Sequence, residues 1–227
     1  MSLKKFVLNM LVAALFFPAL ILWLSGDLRW VEGWLFAVWF DVMVLYSSIY
    51  LYCKDPALLA ERTKAPGSDN QKTWDKYLLT FIYLLFIVWL LLLPLDVRRF
   101  GWSPAFPLWL KILGGLMLLP ALYLIERTTM ENTFMSTLVR IQGERKQHVI
   151  SSGVYSFVRH PLYLGCALMM FGAPLLLGSL YGLLLAALGM AAVVGRIFGE
   201  EKMLAEELEG YADYQQRVRY RLIPYVW

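Results

Sequence analysis

Arg159-His160-Pro161-Leu162-Tyr163 sets a guanidinium, one of the chain's two imidazoles and a phenol at the mouth of a long uncharged run. Tyr155 lies just upstream, and Arg196 and Glu200 follow where that run ends. Pro161 favours the first turn of a helix and biases His160 away from helical geometry, so a helix starts at Pro161. The N–H groups of such a start attract an anion such as a carboxylate. Arg159 and His160 add charge-assisted donors, and Tyr155 and Tyr163 offer ring faces to a cation or a heteroaromatic base. Arg196 and Glu200 are four residues apart and share a helical face. There Glu200 suits a cationic or amino ligand and Arg196 an acidic one. Two plainer readings compete: aromatic and basic anchoring at a membrane surface, and an ordinary surface ion pair between Arg196 and Glu200.

The elements that must position these groups are membrane helices. Apolar residues make up 59% of the 227 and charged ones 17%, against about half and about a quarter in soluble proteins. Uncharged runs of bilayer length cover Phe6 to Ser25 and Tyr77 to Leu95. Gly33 to Cys53 is broken only by Asp41, and Pro104 to Ile125 only by Lys111. Pro18 and Pro120 fall inside helices and are expected to kink them. Leu162 to Gly195 is a run of 34 residues without a charge. As one helix it would be about 51 Å long, more than a bilayer needs. A short-armed hairpin turning near Gly178-Ser179 fits better, and it returns Arg196 and Glu200 to the side of Arg159 and His160.

The expected fold is therefore an all-α integral membrane protein of about six transmembrane helices, the last two forming that hairpin. After Gly195 a cytoplasmic C-terminal amphipathic helix is expected, with Leu204, Leu208, Tyr211 and Val218 near one face. A short helix is expected around Pro56 to Lys64. With six crossings, 17 of the 21 Lys and Arg fall on one face and only Arg29, Arg98, Arg99 and Lys111 on the other. The positive-inside rule makes the first face cytoplasmic, with both termini and the site on it. The chain reads as one domain over 1–227, a four-helix part over 1–125 followed by a cofactor-binding and catalytic part over 126–227. Spread-out positive charge argues against nucleic acid, and nothing points to an obligate protein partner. Cys53 and Cys166 are not spaced like metal ligands, so no metal is expected. Asp41 is an intramembrane acid, either functional or packed against Ser47, Ser48 or a tyrosine hydroxyl.

The block from Gln147 through Arg159-His160-Pro161-Leu162-Tyr163-Leu164-Gly165, the hairpin, Arg196-x-x-x-Glu200-Glu201 and Tyr211-x-x-Tyr214 before Arg217-Val218 resembles the isoprenylcysteine carboxyl methyltransferase family. It is similar also to the phospholipid N-methyltransferases of the same membrane-embedded superfamily. The resemblance covers about residues 125–227; upstream, Asp55-Pro56…Glu61-Arg62 and Trp74-Asp75-Lys76 look like bacterial members. It implies S-adenosyl-L-methionine as methyl donor and a lipophilic or lipid acceptor at the inner membrane of a bacterium or archaeon. By position it implies Gln142, Gln147, His148, Val149 and Ile150 on the adenosine side. Tyr155, His160, Pro161, Tyr163 and Glu200 would also contact the cofactor. Arg196 matches the position that binds the acceptor carboxylate, with Arg159 beside it as the second catalytic candidate. Gln147 departs from the histidine that animal enzymes carry there.

A carboxylate is already anionic at neutral pH, so its methylation needs alignment and dehydration rather than a general base. The acceptor remains open between a prenylcysteine-like carboxylate, a phospholipid amine and a small molecule methylated on N or S. A membrane NADPH-dependent reductase is the reading from a different class, although it would want a denser basic cluster. A transporter or scaffold would place charges inside several helices, whereas Asp41 is the clear case here.

Overall fold

The computed structural model describes residues 2–227, and among them every regular element is a helix. In order these are α1 (Leu3–Ser25), α2 (Val31–Lys54), α3 (Pro56–Arg62), α4 (Thr73–Pro94), α5 (Leu108–Glu131), α6 (Pro161–Leu177), α7 (Leu180–Glu207) and α8 (Tyr211–Arg217). A π-helical turn, Leu95–Phe100, continues α4 beyond Pro94. Five helices are long and apolar enough to cross a membrane, α4 being counted with its π turn. α6, with 17 residues, is shorter. Leu8, Leu11 and Leu15 of α1, Leu84 and Val88 of α4 and Leu116 and Leu119 of α5 are all exposed, as lipid-facing positions should be. Pro18 and Pro120 lie within α1 and α5 without ending them.

The hairpin turns where its glycine requires it. Gly178 adopts φ 92°, Ser179 caps α7 by accepting from the Gly182 amide at 2.8 Å, and the same hydroxyl donates to Asp96 at 2.5 Å. Asp96, fully buried, also accepts from Ser103 at 2.6 Å. At this end the pairs Arg98–Asp27 and Lys111–Glu32 gather the remaining inter-helix segments. The segments 54–76 and 132–160, the end of α7 and the C-terminal tail lie together at the other end, as the hairpin requires.

Small residues set how closely the hairpin approaches the bundle. A Cβ built on Gly114 would lie 2.6 Å from the Gly172 carbonyl oxygen and 2.3 Å from the Leu176 nitrogen. α5 and α6 thus touch backbone to backbone, the contact that small residues permit between membrane helices. Around this seam Phe36, Trp89, Leu93, Ala121, Ala173 and Leu177 form the main core. The buried Trp89 indole donates to the Gly182 carbonyl at 3.1 Å, and the half-buried Trp39 to that of Leu118 at 3.0 Å.

Two expectations are corrected. The amphipathic stretch expected after Gly195 is split between the outer end of α7 and the short α8. The chain from 180 to 207 is one helix of 28 residues, about 42 Å long, so its last turns emerge from the bilayer. Gly195 does not break it, and Gly199 is small because the Trp74 ring lies over it, 2.4 Å from where a Cβ would stand. The break comes at Gly210 (φ 80°), which leads into the seven-residue α8. The predicted face survives that break, since Leu204, Leu208, Tyr211, Tyr214 and Val218 form one cluster. The second correction concerns the membrane acids. Ser47 donates not to Asp41 but to both oxygens of Glu126 at 2.8 Å, a buried carboxylate in the last turns of α5.

Candidate active site

A cleft opens at the end of the bundle where α6 begins and α7 leaves the membrane. Its walls are the 132–150 segment after α5, the turn at 153–156, the first turn of α6, the end of α7 and α8. Its enclosed space is about 120 Å³, and about 840 Å³ when the open space at its mouth is counted.

Pro161 starts α6 as expected, and His160 is non-helical at φ −125°, ψ 61°. The N–H groups of Leu162 and Tyr163 find no backbone acceptor among the described residues. Both faces of the opening motif are held by the tail. The amides of Arg159 and His160 donate to the carbonyls of Tyr220 and Arg221 at 3.0 and 2.9 Å. Glu201 is the hub of this clasp, accepting from Arg159 Nε at 2.6 Å and Arg221 Nε at 2.8 Å, with His160 Nε2 at 3.2 Å. Arg159 Nη1 caps the carbonyls of Val218 and Arg219 at 2.8 and 3.0 Å.

The aromatic lining is fixed the same way. Tyr155 takes a hydrogen bond on its hydroxyl from Asn132 at 2.9 Å, while its carbonyl accepts from the Tyr214 hydroxyl at 2.8 Å. Burial pushes the phenols of Tyr155, Tyr211 and Tyr214 above their usual range, so they stay neutral near pH 7. Tyr163 stacks on His160 at 5.5 Å between centroids and donates to Glu200 Oε2 at 2.8 Å. Glu200 takes no other hydrogen bond and no ion pair among the described residues, which leaves Oε1 to a ligand.

Of the residues singled out in the sequence, Gln147, His148, Val149, Ile150, Tyr155, Arg159, His160, Pro161, Tyr163 and Glu200 all line the cleft. Two do not. Gln142 is fully buried behind the wall, donating to the Phe134 carbonyl and accepting from Arg145, both at 2.7 Å. From there it ties the 132–147 loop together. Arg196 is also behind the wall, its Nε on Asp75 Oδ1 at 2.8 Å and its Nη2 on the Thr137 carbonyl at 2.5 Å. Arg159 reaches the lining, with its Nε spent on Glu201 and its Nη1 on the tail.

Residues that sequence reasoning did not assign to the site include Asp75, Glu201 and the pair Glu61–Arg140. Arg140 lines the cleft and is bound by Glu61 through both nitrogens at 2.8 Å and by Glu144 at 2.6 Å. Burial alone would raise the Glu61 carboxyl, but hydrogen bonds from Arg140, Lys64 and Ser136 outweigh it and hold the pKa at about 2. The segment between α2 and α4 thus pins the cleft wall from outside. Among the described residues no cluster of His, Cys, Asp and Glu is arranged for a metal.

Residues 109–209, which carry most of this cleft, match the family model described as phospholipid methyltransferase. Over 129 residues the chain is 27% identical to protein-S-isoprenylcysteine O-methyltransferase B of Arabidopsis thaliana. That alignment takes in 54% of this chain and spans 60% of the relative's length. The resemblance read from the motif order between Gln147 and Val218 is borne out by both.

Proposed function

We propose that this chain, an integral membrane protein whose residues 109–209 match the phospholipid methyltransferase family model, transfers a methyl group from S-adenosyl-L-methionine to a lipophilic acceptor. The carrying observation is the cleft at the end of α6 and α7, whose one uncommitted charge is the Glu200 carboxylate. Its donors and faces fit that cofactor. Glu200 Oε1 suits the ammonium group, the free N–H groups of Leu162 and Tyr163 suit the carboxylate, and tyrosine rings suit the sulfonium and the adenine. When bound, the sulfonium supplies an activated methyl group. The chain itself orients, excludes water and keeps its phenols protonated. The family implies a methyl donor; the donor's identity rests on this fit.

For the acceptor, the finer reading is O-methylation of a prenylcysteine-like carboxylate, supported by the likeness to the Arabidopsis protein of that name. A second reading, N-methylation of a lipid amine, is favoured by one observation. Both arginines that line the cleft are in ion pairs, Arg140 with Glu61 and Arg159 with Glu201, and Arg196 behind the wall pairs with Asp75. An acceptor carboxylate would find no unpaired arginine charge on the cleft lining. In this reading both chain ends and the cleft face the cytoplasm across an inner membrane, in line with the charge asymmetry.

The test is reconstitution in nanodiscs with methyl-labelled donor, offered a prenylcysteine analogue and phosphatidylethanolamine in parallel. Label in an ester supports the first reading, and label in the lipid amine supports the second. Oxidation of NADPH with no methyl transfer would replace both by a reductase.

A further inference from the structure

Asp75 sits in the first turn of α4, where an acid is ordinarily explained by the helix N-terminus. Its surroundings exceed that explanation. The residue is 0% exposed, and its charged partner lies 121 positions along the chain. Arg196 donates to it through Nε at 2.8 Å and Nη2 at 3.4 Å. The same carboxylate accepts the Val139 amide at 2.8 Å and the Gln71 side chain at 2.7 Å. Asp75 therefore holds an arginine on α7 and the wall segment 137–139 together. The neighbouring Trp74 ring, pressed onto Gly199 immediately before Glu200, fixes the register of the two helices.

From Arg196 the geometry runs on into the cleft. Its Nη1 donates to the Tyr163 hydroxyl at 3.1 Å, and that hydroxyl donates to Glu200 at 2.8 Å. A guanidinium only donates, and a phenol has a single proton. With Arg196 on its lone pair, Tyr163 has that proton free for Glu200. The sequence of bonds is directional, from Asp75 through Arg196 and Tyr163 to the one carboxylate offered to a ligand. A buried ion pair is weak evidence for stability, since well-packed apolar residues often serve as well. One that ends on a site carboxylate is better explained by orientation.

We propose that Asp75 is the positioning residue of the cleft: through Arg196 and Tyr163 it aims Glu200 at a cationic ligand, and it keeps Arg196 from any acceptor. This rests on the reading of the cleft as a methyl-donor site. Asp75→Asn, Glu200→Gln and the double variant are compared in nanodiscs by calorimetric titration with S-adenosyl-L-methionine. Hydrogen exchange of the 137–142 segment is followed without cofactor. Asp75→Asn is expected to weaken binding about tenfold or more, the size of a lost charge-assisted hydrogen bond. It should also speed exchange at Val139, and the double variant should bind no worse than Glu200→Gln alone. Wild-type affinity in a folded Asp75→Asn protein, or losses that multiply in the double variant, would overturn the proposal. So would a raised acceptor KM with cofactor affinity intact, which would return Arg196 to the acceptor. Should Asp75→Asn not fold, Tyr163→Phe cuts the same path with the ion pair kept. It is expected to show the same non-additivity with Glu200→Gln, and additive losses overturn the idea. A wild type that binds no cofactor refutes the methyl-donor reading, while exchange at Val139 still reports whether Asp75 holds the wall.

Discussion

Gly114→Ala is the sharpest probe of how the hairpin is seated. The added methyl would stand 2.3 Å from the Leu176 nitrogen, 2.6 Å from the Gly172 oxygen and 2.8 Å from the Leu175 carbonyl carbon. All three are backbone atoms, so no side chain can turn aside. Ordinary contact at this position begins near 3.4 Å, so α5 and α6 must part by about 1 Å and surrender dispersion contacts along the seam. Overpacking of this kind costs about 1–3 kcal/mol. For a chain of this length that lowers the unfolding midpoint by roughly 2–12 °C. Gly115→Ala is the control, because its methyl would meet only Leu176 Cδ1 at 3.8 Å. Replacing a helical glycine there is neutral or stabilising by up to about 1 kcal/mol. Thermal unfolding in detergent, followed by tryptophan fluorescence, reads both. Equal midpoints for the two variants would refute the backbone seam.

Glu200→Gln should reduce affinity for S-adenosyl-L-methionine by about ten- to a hundredfold, the scale of a charge-assisted hydrogen bond; titration showing a change under about twofold contradicts the role given to Glu200. Because the Glu61 carboxyl is held at about 2, below its ordinary value of 4.5, its share of stability is full above pH 4.5 and fades as pH falls towards 2. Denaturation midpoints across that window should therefore drop more steeply for the wild type than for Glu61→Gln, and parallel slopes would count against the Glu61–Arg140 clasp. Ser179→Ala removes the cap of α7 and one of the partners of buried Asp96, and should cost about 1–2 kcal/mol in unfolding measurements; an unchanged midpoint would show that the turn is held without it.

What the sequence made legible, and what it hid, follows from how far apart the partners lie. The hairpin was readable because an uncharged run of 34 residues is too long for one crossing, and its turn fell at Gly178-Ser179. The start of α6 was readable because Pro161 constrains both itself and His160. The cleft lining followed from motif order, as a resemblance. The partner of Arg196 was hidden because local spacing shows Glu200 four residues away but not Asp75 on α4. Asp75 in turn looks like any first-turn acid until the fold brings α7 beside it. Gln142 sat inside a stretch whose neighbours do line the cleft, and only its fully buried amide reveals the difference. Glu126 escaped notice because it lies one residue past the apolar run, and the helix continues to Glu131.

The central claim is that the cleft between α6, α7 and α8 holds a sulfonium methyl donor. Equilibrium titration of purified, nanodisc-embedded protein with S-adenosyl-L-methionine tests it most directly, with Glu200→Gln as the site-specific control. Saturable one-to-one binding that the substitution weakens is the expected result. No binding by the wild type, or binding indifferent to Glu200, would contradict it.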